Sequence, residues 1–162
     1  MSATTLVAVL TFNEGEKLKR LVASFPEQRE YDLLFVDDGS TDDSPAYLAR
    51  LDHSLIRHEE NQGVGASIRD AIDFARKNDY RHIVIMAGNG KMQAAEIPRL
   101  LAPLVDDTAD YVQGSRYLEG GQSPNLPFGR RVAIRLFTRI VNLFSRFKGT
   151  DITCGFRAYR LD

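Results

Sequence analysis

The sequence holds a single cysteine, Cys154, so it forms no disulfide within the chain and no cysteine-built zinc cluster. That scarcity favours a reducing compartment. Cys154 itself reads as a small semi-buried filler, with no base placed beside it to make it a nucleophile. Three histidines, His53, His58 and His82, stand singly without metal-ligand spacing, and no role is read for them. Long apolar runs are missing as well: none approaches the ~18 residues that a membrane-crossing helix needs. The start, Met1-Ser2-Ala3-Thr4-Thr5, lacks the basic opening and apolar core of a signal peptide. The expectation is a soluble, cytoplasmic chain, one that can still work peripherally at the inner face of a membrane. Net charge is nearly absent too, at -1, and by itself points to no class of partner.

What is present is ordinary globular material, with 43% hydrophobic and 27% charged residues. At 162 residues the chain is about one domain long. A chain of that size buries roughly two-thirds of its unfolded surface. Strand and helix patterns alternate along it. Leu6–Leu10, Leu33–Val36, Leu55–Arg57, Ile83–Met86 and Tyr111–Gln113 read as short strands. Between them, Lys17–Ser24, Pro45–Leu51, Gly65–Lys77 and Ala95–Leu104 read as helices, with Ile68, Ala71, Ile72 and Ala75 on one face of the third. This order implies a three-layer α/β/α fold around a mostly parallel sheet. Leu118–Phe128, rich in Gly, Pro, Ser and Asn, reads as a loop.

The most informative stretch is Leu33-Leu34-Phe35-Val36-Asp37-Asp38-Gly39-Ser40, a buried strand running into two adjacent carboxylates. Loops at the carboxyl ends of parallel strands line the crevice where α/β proteins bind ligands. Two neighbouring acids repel each other, so ribose hydroxyls, a base N–H or a metal must reward holding them together. The alternative is an acidic turn that caps the next helix, which Ser44-Pro45 opens with a capping serine and an early proline. Thr11-Phe12-Asn13-Glu14 follows the first strand in the same way. There Asn13 and Glu14 are placed to bond a nucleoside and Phe12 to offer it a flat surface, or the pair merely caps a helix. Asn61-Gln62-Gly63-Val64-Gly65-Ala66 opens the third helix, where glycine admits a ligand close to the backbone and a helix N-terminus offers N–H groups to anions. Its third fingerprint glycine is absent, Ile68 standing in that place, so it is not a dinucleotide motif.

Taken together, Asn13-Glu14, Val36-Asp37-Asp38-Gly39-Ser40, Asn61-x-Gly63-x-Gly65-Ala66, Gly114-Ser115-Arg116-Tyr117 and Gly155-Phe156-Arg157 resemble, in order and spacing, a family-2 glycosyltransferase of the dolichyl-phosphate-mannose synthase type. The resemblance covers essentially the whole chain. It implies a GT-A fold, a Rossmann-like sheet binding a UDP- or GDP-linked sugar at its carboxyl edge. Carried over by position, Thr11, Phe12, Asn13, Glu14, Asp37, Asp38, Gly63, Gly65 and Asn89 would hold the nucleotide. Arg116 would sit near the diphosphate, and Arg157 near the rim of the active site. The implied reaction is inverting, with an acceptor oxygen attacking the anomeric carbon as nucleoside diphosphate leaves.

One segment departs from the family. Where relatives carry Asp-x-Asp, often followed by Gln, to bind Mg²⁺ or Mn²⁺, this chain has Ala87-Gly88-Asn89-Gly90-Lys91. Divalent cations want hard, preferably charged oxygens. Ala87 offers none and Asn89 only a neutral carbonyl, a weak ligand at most, so Mg or Mn as cofactor is placed in doubt. Lys91 admits two readings: its ammonium takes over part of the cation's work on the leaving diphosphate, with help from Arg116 or Arg157, or it is a surface lysine on a domain that has lost catalysis.

Gly129–Lys148 contains Arg130, Arg131, Arg135, Arg139, Arg146 and Lys148 and no acid. On a helical wheel Arg131, Arg135, Arg139 and Arg146 oppose Leu136, Phe137, Ile140, Val141, Phe144 and Phe147. Such a helix either lies on an anionic membrane or guides a phosphate-bearing lipid, or its apolar face packs on the domain and its arginines are solvated. The resemblance favours acceptor binding, with Arg130, Arg131 and Arg135 facing the acceptor or the membrane. Nucleic acid is excluded as a partner because the patch is isolated and lacks a binding motif. A polyprenyl-phosphate acceptor also suits the lack of an evident general base, since a phosphate monoester with a second pKa near ~6 is already a nucleophilic anion.

The expectation is therefore a single glycosyltransferase domain over 1–162, with a nucleotide-binding part at about 1–117 and an acceptor-side part at about 118–162. Because such relatives continue beyond this length, a C-terminal truncation is part of it. The competing reading is a catalytically impaired nucleotide-sugar-binding module or fragment. A nucleotidyltransferase is disfavoured, because the loop after the first strand is acidic rather than glycine-rich and basic.

Overall fold

Continuous apolar runs become strands here because each is covered on both faces. The computed structural model describes residues 4–121, 126–146 and 148–161. Among these the order is β1 (Thr5–Thr11), α1 (Gly15–Ala23), β2 (Asp32–Asp37), α2 (Ser44–Leu48), β3 (Ser54–Arg57), α3 (Val64–Lys77), β4 (His82–Ala87), a 3-10 turn (Ala94–Glu96) leading into α4 (Ile97–Val105), β5 (Tyr111–Gln113), α5 (Phe128–Phe144) and β6 (Arg157–Arg160).

The sheet order is β3-β2-β1-β4-β6-β5. β1 pairs in parallel with β2 on one side and β4 on the other, and β3 pairs in parallel with β2. Leu6, Ala8, Leu34, Val36, Ile83 and Ile85 meet Ala71 and Ala75 of α3, with Ile68 and Ile72 packed against them. The residues of opposite parity, Val7, Val9, Leu33, Phe35, Val84 and Met86, are equally buried. Strand side chains alternate between faces, so both faces of the sheet are core. Burying a Leu or Val in this way contributes roughly 1.5–3 kcal/mol per side chain.

Several local expectations change. β6 was not legible as a strand: Arg157-Ala158-Tyr159-Arg160 is half polar, yet it pairs antiparallel with β4 and brings Ala158 to full burial. α2 ends at Leu48, and Asp43, not Ser44, occupies its N-cap position. The Ser44 hydroxyl accepts from the Gly15 N–H at 3.1 Å instead, joining the starts of α1 and α2. α5 ends at Phe144, before Lys148. Its buried residues are Ile134 and Thr138, while Leu136, Phe137, Ile140 and Phe144 are 46–83% exposed. The apolar face drawn on the wheel is therefore uncovered among the described residues; Phe147, assigned to it, lies outside them, as do 1–3 and 122–125 of the segments discussed above.

The chain forms two compact units. One runs to Val112 and resumes at Phe156, and the other is Gln113–Gly155. In the second, the Arg116 guanidinium makes two bonds to the buried Asp151 carboxylate, Nε at 2.6 Å and an Nη at 2.8 Å. Gln113 donates to the Ile152 and Cys154 carbonyls. The Asn142 amide exchanges two hydrogen bonds with the Gly149 backbone.

Candidate functional site

Parallel pairing sets Thr11 opposite Asp37 and Leu10 opposite Ala87, so the loops after β2, β1 and β4 leave the sheet side by side. The strand order reverses between β1 and β4, which is where open α/β sheets leave a ligand crevice. Thr11, Asn13, Asp37, Asp38, Ala87, Asn89 and Lys91 are thereby gathered at one edge. Arg157 joins them, because β6 is antiparallel and begins opposite Ile85, two residues short of the end of β4. Phe12 stands at this edge 43% exposed.

The two carboxylates do different work. Asp38 is a structural hub: its Oδ1 accepts from the Gln62 N–H at 2.9 Å and from His58 Nδ1 at 2.7 Å, and its Oδ2 accepts from the Gly63 N–H at 2.9 Å. These bonds brace the Gln62–Gly63 segment that leads into α3. Asp37 is fully buried; its Oδ1 accepts from the Ser40 N–H at 3.2 Å, and its Oδ2 has no hydrogen-bond partner among the described residues beyond an ion pair with Arg57 at 3.5 Å. A buried carboxylate oxygen one bond short retains capacity for an N–H or O–H donor.

His58, to which the sequence assigned no role, holds this corner. It is 7% exposed, and its second ring nitrogen lies 2.8 Å from Asp70 on α3. Ionised carboxylates only accept, so both ring nitrogens donate and His58 is an imidazolium between two anions. The hydrogen bond to Asp38 pushes its pKa up, against burial and with help from Asp70. Burial pushes the Asp38 carboxyl up, but the bonds from His58, Gln62 and Gly63 outweigh it and hold the group below the usual carboxylate range. No local signal could have found this, since Asp38 and Asp70 are 20 and 12 residues away.

Asn13 is a brace as well. Its backbone, at φ 53°, donates to Ser40 Oγ, and its side-chain oxygen accepts from Thr41 and Asp42 N–H groups at 2.8 and 3.3 Å. Glu14 pairs with Lys17 at 3.0 Å. Gly39 (φ 75°) packs directly on the Glu60–Asn61 backbone, where a Cβ would come within 2.4 Å of a carbonyl carbon. Gly63 needs its positive φ of 88°, whereas Gly65 has ordinary φ, and a Cβ there would meet nothing within 4 Å. The protein has no steric need for glycine at 65, and its absence of a side chain leaves the edge open.

The loop after β4 does not fit a divalent cation. The Ala87 side chain has no donor atom, and the Asn89 side-chain oxygen turns back to accept from the Lys91 N–H at 3.1 Å. Among the described residues no group of three or more His, Cys, Asp or Glu could hold a metal. In the second unit, Arg116, Arg131 and Arg135 line a cavity of about 330 Å³ with Tyr117, Leu118 and Gly121. The Arg135 guanidinium lies 5.2 Å from the centre of the Tyr117 ring. Arg130 is exposed and does not line that cavity.

This architecture is that of the GT-A fold. The model of the family described as glycosyl transferase family 2 matches residues 6–162, and the chain belongs to that family. It is 36% identical to a polyprenol monophosphomannose synthase of Mycolicibacterium smegmatis over 96% of this chain and 61% of that protein. It is 34% identical to an undecaprenyl-phosphate mannosyltransferase of Micrococcus luteus over 97% of this chain and 66% of that protein. The chain thus spans somewhat under two-thirds of these relatives' lengths. Among solved structures, glucosyl-3-phosphoglycerate synthase from Mycobacterium tuberculosis, in complex with Mn²⁺, UDP and phosphoglyceric acid, superposes with a TM-score of 0.73 at 16% identity, over 98% of this chain and 56% of that one. A mannosyltransferase from Pyrobaculum calidifontis in complex with GDP-Man and Mn²⁺ gives a TM-score of 0.58 at 20% identity, over 71% of this chain and 36% of that one. These neighbours therefore bind Mn²⁺ together with their nucleotide, through a fold that this chain shares.

Proposed function

We propose that this chain is the catalytic domain of an inverting glycosyltransferase that moves a hexose from a UDP- or GDP-linked donor to a polyprenyl-phosphate or glycan acceptor, in cell-envelope or glycan biosynthesis. The observation that carries the donor half is the convergence of the β2, β1 and β4 loops at the reversal of strand order. In this reading Asp37 and the Thr11–Glu14 loop take base and ribose, with Phe12 beside the base. Asp38, Asn13 and Gly63 act behind them, holding the loops in place. Gly65 leaves the room the donor occupies.

The acceptor half rests on the polyprenyl-phosphate relatives and on the second unit. Arg131 and Arg135 stand one helical turn apart, and with Arg116 they give their cavity a strongly cationic lining suited to a phosphate monoester. Arg116 is already anchored by Asp151, which makes it a fixed wall of that cavity. Its assigned place beside the donor diphosphate is kept as part of this proposal. The exposed row Phe128, Val132, Leu136, Ile140 and Phe144, flanked by arginines, suits an anionic membrane surface from which a lipid acceptor is presented. No helix among the described residues is long and apolar enough to cross a membrane.

Chemically, an acceptor phosphate oxygen forms a bond to the anomeric carbon as the bond from that carbon to the diphosphate oxygen breaks. The bonding pair leaves on the nucleoside diphosphate, and no proton need be removed from the acceptor. Incubating the chain with GDP-mannose or a UDP-hexose and undecaprenyl phosphate in vesicles is expected to yield an organic-extractable glycolipid, lost in Asp37→Asn. Tight donor binding without transfer to any acceptor would instead support the binding-module reading, which the missing metal carboxylates favour.

A further inference from the structure

We infer that this chain binds its donor diphosphate without a divalent cation, and that the Lys91 ammonium supplies the positive charge in the cation's place. The inference rests on the donor reading above and concerns how that same edge handles phosphate charge.

The loop after β4 is pinned to β1 at the edge of the crevice. The Gly88 N–H donates to the Leu10 carbonyl at 2.7 Å, and a Cβ on Gly88 would come within 3.0 Å of the Thr11 side chain. Its position is therefore set by the sheet. What it presents there is not a metal ligand set. The Ala87 side chain offers no ligand atom, and its backbone N–H meets Met92 Sδ at 3.2 Å. The Asn89 oxygen closes the turn on the Lys91 N–H, and Gly90, at φ 70°, carries the chain round. A divalent ion of the Mg²⁺ or Mn²⁺ kind wants several hard oxygens, charged ones among them, and the side chains of the loop supply one neutral oxygen that is already engaged.

Lys91 is the only charged side chain between Ala87 and Lys91, and it is exposed. Among the described residues, no carboxylate lies within ion-pair distance of its ammonium. An ammonium is a compact charge with three donors, able to hydrogen-bond two diphosphate oxygens and offset charge as the leaving group departs. Carrying half the charge of a divalent metal, it benefits from a second cation. Arg157 opens β6 opposite Ile85, at the same end of the sheet.

Isothermal titration calorimetry of the full chain with GDP and with UDP, each in EDTA and in MnCl₂, tests this directly. For whichever nucleotide binds, the affinity is expected to agree within about twofold between the buffers. Lys91→Met should weaken it by about tenfold to a hundredfold in both, the loss of a charge-assisted contact, with Lys91→Arg recovering part. Restoring the acids in Ala87→Asp/Asn89→Asp should create a dependence on Mn²⁺ of about tenfold or more. Binding by the unaltered chain that collapses in EDTA overturns the inference, as does Lys91→Met binding unchanged, and in both cases the donor reading survives. Failure of both nucleotides to bind in either buffer takes down the donor reading itself and this inference with it.

Discussion

The loop after β2 and the loop after β4 leave the sheet at the same edge and are built in opposite ways. In the first, Asp38 accepts three hydrogen bonds, Asn13 bolts the neighbouring loop to it, and His58 locks the whole to α3. The second is tied to the sheet by the Gly88 N–H, then closed by one Asn89–Lys91 turn and a methionine sulfur, and it leaves its lysine in solvent. A corner whose polar groups satisfy one another is preorganised and has little freedom to lose on meeting a ligand. A loop ending in a flexible ammonium recognises charge and tolerates variation in position. In the reading proposed above, the contrast accounts for a nucleoside side that keeps its family-like residues and a phosphate side that carries no acids.

The comparison breaks most sharply at Gly39. Alanine there must adopt φ 75° and drive a methyl into the Glu60–Asn61 backbone, so Gly39→Ala is expected to lower stability by about 2–4 kcal/mol in urea unfolding. If the two loops were not locked together, the substitution would cost no more than an ordinary surface glycine change.

Next in size is His58. His58→Asn should cost about 2–3 kcal/mol by leaving the nearly buried Asp38 without its counter-charge; Asp70, 38% exposed, is discounted for solvent screening. The same group makes stability pH-dependent. Its folded pKa is raised, so its contribution is fully present below the ordinary value of 6.5 and fades as pH rises through the folded value. Asp38 acts in reverse: its contribution is present above the ordinary 3.8 and is lost as pH falls through its depressed value. Melting temperature should therefore fall on the alkaline side of 6.5 in the unaltered chain, and this slope should be missing from His58→Asn.

The smallest expected effect on the fold is at Gly65. Alanine there meets nothing within 4 Å, so the melting temperature should move by only a degree or so. Nucleotide affinity should nonetheless drop by about tenfold if, as proposed, the donor occupies the space the methyl enters. Equal affinity in Gly65→Ala would place the donor elsewhere along the edge.

Much of the fold was legible. β1, β2 and β4 announce themselves as apolar runs because they are buried on both faces, and the alternation of strands and helices leaves few topologies. β6 was hidden because Arg157-Ala158-Tyr159-Arg160 has no pattern of its own, and its place beside β4 supplies the burial that makes it a strand. The apolar stripe of α5 was visible, but its exposure was not: a wheel shows which residues share a face, and only the neighbouring elements determine which face is covered. Of the candidate site, the pairing of β1 with β2 and β4 puts the loops that follow them side by side. The division of labour between Asp37 and Asp38, and the involvement of His58, were not read.

The sequence alone settled that apolar runs lead into the polar loops after β1, β2 and β4, because such runs mark strands buried on both faces, although each of these strands extends one residue beyond its apolar run at either end. It also settled that the loop after β4 carries no acid between Ala87 and Lys91, since that is a matter of identity. The tertiary structure decided what each side chain does there. Whether a buried carboxylate is already satisfied depends on donors from residues 20 and 25 positions away, and no local pattern records which donors folding brings within hydrogen-bond reach.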